Sequence, residues 1–128
     1  MRRRPVRGAP SAGIARVAAF IWTALLVAAA AVPGDRVTLP SNSDLWAHGA
    51  GYAVHAFLTC LAVTRGRSRV RATAMAAIAT IVLGAATEVL QAFVPARDPS
   101  LADWLADAVG AASGAAIGWT VVGQGGDR

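Results

Sequence analysis

The chain has 128 residues, enough for one domain, and is 55% hydrophobic with only 15% charged. A soluble domain carries about a quarter of its residues as charges, so water is excluded as the main solvent. The formal net charge is +5, and the single cysteine, Cys60, excludes an intramolecular disulfide and a cysteine-built zinc site.

In chain order, a basic tail at residues 1–13 leads into an apolar segment at about 14–32. The link "PGDRVTLPSNSD" separates it from a second segment at about 45–64. "RGRSRVR" leads to a third at about 72–94, "PARDPS" to a fourth at about 101–122, and residues 123–128 form a short tail. Each segment is near the roughly 20 residues that cross a bilayer as a helix. The expected fold is all-α: a four-helix transmembrane bundle over residues 14–122, its backbone hydrogen bonds satisfied within each helix. The start also resembles a secretory signal, but the long apolar run and the three segments after it favour an uncleaved span.

All basic residues are arginine, and their placement is lopsided. Arg2, Arg3, Arg4, Arg7 and Arg16 stand at the first segment, and Arg65, Arg67, Arg69 and Arg71 fill the second link. Arg36 and Arg97 alone occupy the other two links. The positive-inside rule then puts both termini in the cytoplasm of a multi-pass protein of the cell membrane. Read this way, the basic runs are topology signals. With no aromatic platform beside them, nucleic acid is not an expected partner.

The acids cluster in "TEVLQAFVPARDPSLADWLADAVG", residues 87–110, which holds four of the seven. Asp44, His48, Tyr52 and His55 share one face of the second helix by their spacing. Glu88 and Gln91 lie near the outer end of the third, and Asp103 and Asp107 follow Ser100 on the fourth. With the third helix ending near residue 94, Glu88 and Asp107 both fall roughly 10 Å inside the outer ends of their helices. A charged group at mid-bilayer costs at least about 2.5–3.5 kcal/mol on insertion scales, so such residues face a bundle interior and pair there. Tyr52, Glu88 and Asp107 are therefore expected to converge in one outward-opening polar pocket. Arg97 and His48 would lie at its mouth, and Arg97, His48 or His55 would offset the carboxylates.

Local structural roles compete with function at several positions. Ser100 with Asp103, and Ser41 with Asp44, form S-x-x-D capping patterns. Trp46 and Trp104 suit the membrane interface, and so to a lesser degree does Tyr52. His55 reads as a hydrogen bonder between helices. Gly110, Gly114 and Gly118 form a small-residue packing face, through which copies of the chain could associate. Glu88 and Asp107 read as too deep for caps.

At these residues the sequence resembles the VanZ-like family of small bacterial membrane proteins. "DLWAHGAGY" gives Asp44, His48 and Tyr52 in the family spacing, with Leu45 where the family usually has lysine. Glu88, Gln91, Phe93, Pro95, Arg97, Ser100, Asp103, Gly110 and Gly114 match the second block, with Asp107 where asparagine is usual. The likeness runs from Asp44 to Gly118. It implies a cell-envelope role linked to resistance to the glycopeptide teicoplanin. The missing lysine and the extra carboxylate make this chain's pocket more acidic than the family's.

Three functions fit. A binding protein would hold a lipid head group or glycolipid through Asp44, Tyr52, Gln91, Arg97, Ser100 and Asp103, the Arg97 fork meeting phosphate. A membrane enzyme would use Glu88 or Asp107 as general base and His48 as acid on a lipid-linked intermediate. A proton-coupled transporter would use the same acids and histidines as a relay. No cofactor is expected. His48, Glu88 and Asp107 are metal-ligand types, but their spacing is no known metal motif, so no metal is expected either.

Overall fold

The computed structural model describes residues 11–36 and 43–126, with side chains of the last helix as far as Val122. Arg2, Arg3, Arg4, Arg7, Ser41 and the residues beyond 126 lie outside these. Four helices follow in order: α1 (Ala12–Ala30), α2 (Ser43–Val63), α3 (Arg69–Gln91) and α4 (Leu101–Gly126), with a single 3-10 turn at Gly34–Arg36. No strand occurs among the described residues.

Serines start three of the helices. Ser11 Oγ accepts the Ile14 N–H at the head of α1, and Ser68 Oγ accepts that of Arg71 at the head of α3. Ser100 Oγ accepts the Asp103 N–H at 3.3 Å, so Ser100 does cap α4. Before α3 the chain turns at Gly66, whose φ of 74° suits glycine.

Helices α1, α3 and the 101–122 part of α4 are each long and apolar enough to cross a membrane, and they mark the chain as a membrane protein. Helix α2 has the length, 21 residues. Asp44, His48, Tyr52 and His55 dilute its hydropathy, so three helices rather than four meet the expectation on composition. The dilution has a structural counterpart, because α2 lies at the centre and packs most extensively on α4.

Successive helices run antiparallel. Arg16 Nε donates to the Ala62 carbonyl and Trp22 Nε1 to that of Gly51, joining α1 to α2 in opposite directions. His55 bridges three helices, bonded through Nε2 to Thr23 at 2.9 Å and through Nδ1 to Thr80 at 2.8 Å. Thr23 donates its own hydroxyl hydrogen to Ala19, so it accepts from His55 Nε2–H, and Nδ1 takes the Thr80 hydroxyl. His55 is thus the interhelical hydrogen bonder its position suggests.

The interior is built from small residues. Ala56, Ala111 and Ala115 form one cluster between α2 and α4, and Cys60, Ala72 and Ala76 another at the far end. Helices α2 and α4 run parallel at near backbone contact. A Cβ at Gly110 would overlap the Gly49 carbonyl, one at Gly114 that of Ala53, and one at Gly118 would lie 2.8 Å from Cys60 Sγ. The Gly110, Gly114 and Gly118 face is therefore filled by α2 of the same chain. Association between copies would need another face, because this one has no room for a second helix.

Arg16, Arg65, Arg67, Arg69 and Arg71 share one end of the bundle, where Arg69 lies 4.4 Å over the Trp119 ring. The opposite end carries the 32–36 and 92–100 links laced together. Gly34 N–H donates to the Pro95 carbonyl and Arg97 Nε to that of Val32.

Candidate functional site

The acid-rich stretch closes onto α2 at that second end. Helix α3 stops at Gln91, a turn earlier than its apolar run suggests, so Glu88 lies only about 4.5 Å along the axis from the helix end. Turns continue the chain to Val94, and Ala96, at φ 56°, bends it back. Ser100 then comes level with Glu88, and its N–H donates to Glu88 Oε2 at 2.7 Å. The reading of Glu88 as too deep for a cap is corrected here: one of its oxygens holds the start of α4. The early helix end and the returning link bring the two together.

Asp107 has no such cap role. It lies two turns into α4, fully buried, and its Oδ1 accepts from His48 Nδ1 at 2.9 Å. A carboxylate only accepts, so His48 carries its hydrogen on Nδ1. This is the only ion-pair contact among the described residues. Gly84 on α3 makes room for it, since a Cβ there would lie 2.9 Å from Asp107 Oδ2.

Tyr52 is 3% exposed, an interior residue rather than an interfacial one. Its ring stacks with that of His48 at 6.2 Å, and its hydroxyl meets Thr87 Oγ1. Because Thr87 donates to the Gly84 carbonyl, Tyr52 is the donor of that bond. Gln91 is buried on the same side of α3, and Asp44 and Asp103 are half-buried beside His48. Trp104 is partly covered, its Nε1 donating to Ile81 at 3.4 Å, whereas Trp46 is exposed.

Glu88 and Asp107 come together as expected, but their partner from α2 is His48, expected at the mouth, while the Tyr52 hydroxyl goes to Thr87. His48, Glu88 and Asp107 each bring one potential ligand atom within 4.8 Å of the others, and Asp44, His48 and Asp103 do the same. Two oxygens in this group, Glu88 Oε1 and Asp107 Oδ2, are buried without a hydrogen-bond partner. A cleft of about 250 Å³ adjoins Glu88, lined with it by Ala85, Pro99, Ser100, Leu101 and Trp104. Arg97 does not reach the carboxylates as expected. Its Nε is engaged by Val32, at the bundle end.

Thr87 and Gly84 went unread in the sequence. Their signal was the shared α3 face: Gly84 stands four residues before Glu88, and a small residue one turn from a buried acid leaves space for a side chain from a neighbouring helix.

Comparison with protein-family models, curated proteins and solved structures finds no match.

Proposed function

We propose that this is a VanZ-like four-span protein of the bacterial cell membrane that holds a lipid head group, glycolipid or lipid-linked wall precursor at the outer leaflet. One observation carries the reading. Ionisable side chains from three helices, two of them buried acids, meet at one level of a mostly apolar bundle, with a Glu88- and Ser100-lined cleft beside them. Membrane proteins keep such groups for ligand sites and ion paths. A cleft of that volume suits a head group rather than a whole lipid.

Helix α2 is the fourth span. Its polar residues turn toward α1, α3 and α4, while Leu45, Trp46 and Val54 are exposed, so its outer surface is as apolar as a spanning helix requires. The arginine-rich end is cytoplasmic, which opens the site away from the cytoplasm. A reporter fused after Arg128 should be active in the cytoplasm, and activity outside would reverse the orientation.

Purification in mild detergent followed by mass spectrometry of bound lipid tests the ligand. A polyprenyl-linked or phospholipid species retained by the native chain and lost from Glu88→Gln supports the reading. A chain free of specific lipid, with unchanged glycopeptide sensitivity in a strain lacking it, would sink it. One further observation favours an enzymatic variant of this function: the hydrogen-bonded His48–Asp107 pair beside Glu88 is an acid–base arrangement. Turnover of the retained lipid on incubation would separate catalysis from binding.

A further inference from the structure

When ionised, the carboxylate oxygens left over at this site need a positive partner. Glu88 is 8% and Asp107 0% exposed, and Glu88 Oε1 and Asp107 Oδ2 have no hydrogen-bond partner among the described residues. Ionised acids buried in this way are paired or coordinate metals. Among the described residues no arginine fills the role: the one ion-pair contact is His48–Asp107, and Arg97 turns its Nε to the Val32 carbonyl. His48 satisfies Oδ1 alone.

The geometry points to a divalent transition-metal cation, of the Mn2+ or Zn2+ kind, held by His48, Glu88 and Asp107. Two ligands with bonds of about 2.0–2.2 Å lie roughly 3–3.5 Å apart around one ion. The His48 Nδ1–Asp107 Oδ1 separation of 2.9 Å is already near that value; ion binding shifts the imidazole hydrogen from Nδ1 to Nε2 and frees the Nδ1 lone pair, and the widest separation in the trio, within 4.8 Å, closes by about an ångström of side-chain rotation. Two carboxylates and a neutral imidazole carry a charge that one divalent ion cancels. Mg2+ and Ca2+ prefer all-oxygen shells of six or more ligands, whereas an imidazole with two carboxylates suits Mn2+ or Zn2+. Glu88 also lines the cleft, so the ion's remaining positions can meet a phosphate oxygen there. That last step rests on the head-group reading; the ion itself does not.

The test uses the full chain in detergent, stripped with chelator and loaded with Mn2+ or Zn2+ alone. Elemental analysis should give one ion per chain, and pulsed EPR of the Mn2+ form should show coupling to one imidazole nitrogen. Glu88→Gln and Asp107→Asn each keep an oxygen able to accept from Ser100 N–H or His48 Nδ1–H, so the fold has no reason to fail, yet each loses an anionic ligand. Affinity should fall more than about 100-fold in each, beyond the 10–100-fold typical of losing a mere supporting residue. His55→Gln, which alters the chain's other histidine, buried away from the site, should bind as the native chain does. No stoichiometric ion, no imidazole coupling, or unchanged affinity in both acid variants overturns the site. An ion bound without lipid leaves the metal site standing and sinks the head-group reading; lipid bound without an ion does the reverse.

Discussion

The closeness of α2 and α4 is what brings His48 to Asp107, and Gly110→Ala tests it. Gly110 is three residues after Asp107, and Gly49 follows His48. The new Cβ would overlap the Gly49 carbonyl oxygen and lie 3.0 Å from its carbon and 3.1 Å from Ala53 N. All three are backbone atoms with no rotamer to yield, so the helices must part by on the order of 1 Å to restore ordinary contact. The 2.9 Å His48–Asp107 bond would then stretch past hydrogen-bond range. Overpacking costs about 1–3 kcal/mol, and the lost bond adds roughly 0.6–2 kcal/mol in a membrane bundle. Better helix propensity returns up to about 1 kcal/mol, leaving a net loss of roughly 0.6–4 kcal/mol. Gly13→Ala is the counterpart, because its Cβ would meet only Ser11 Oγ at 3.8 Å. It gains propensity without a clash. Thermal unfolding in detergent should move the two variants in opposite directions, and the imidazole nitrogen resonances of His48 should shift only in Gly110→Ala. If Gly110→Ala gains stability as Gly13→Ala does, with His48 unmoved, the parallel α2–α4 contact is wrong and the site built on it falls.

Composition and spacing made the helices legible, because lipid forces each span to close its own hydrogen bonds and so to appear as one long apolar run. The run does not mark where the helix stops. Ala92, Phe93 and Val94 are as apolar as helical residues, yet they belong to turns, and the return of the chain at Ala96 follows from a backbone angle that alanine seldom adopts. That placed Glu88 against Ser100 and left its cap role unread. That the polar face of α2 and Asp107 turn into the bundle was legible, since four-residue steps put polar groups on one face and lipid is no place for them; that His48 rather than Tyr52 meets the two acids was not. Arg97 was misjudged for a related reason: a charge near carboxylates in sequence need not pair with them, and here a carbonyl across the links takes it. The glycine face was legible as a packing face, but small-residue spacing says nothing about whether the partner helix is in the same chain.

Tyr52→Phe should cost only about 1 kcal/mol in thermal unfolding, because Thr87 keeps its own-helix carbonyl acceptors when the tyrosine donor is lost. His55→Leu should cost more, about 1–3 kcal/mol, since the fully buried Thr80 hydroxyl loses its partner and α1 loses its hydroxyl link through the imidazole; a loss no larger than that of Tyr52→Phe would show the bridge to be dispensable. Glu88 separates anchoring from chemistry, and two substitutions weigh them. Its Oε2 accepts Ser100 N–H at 2.7 Å, a bond to a charged group worth about 1.5–3 kcal/mol, against about 1 kcal/mol for a neutral amide acceptor. Glu88→Gln therefore weakens the start of α4 by about 1 kcal/mol, while Glu88→Ala removes the acceptor and leaves a partly buried N–H at a cost of about 2–3 kcal/mol. Lipid retention is expected to follow the charge and not the fold, so Glu88→Gln should stay folded and lose the bound lipid as fully as Glu88→Ala does. If Glu88→Gln keeps both its stability and its lipid while Glu88→Ala loses both, Glu88 is an anchor for the link and nothing more, and the functional carboxylate is Asp107 alone.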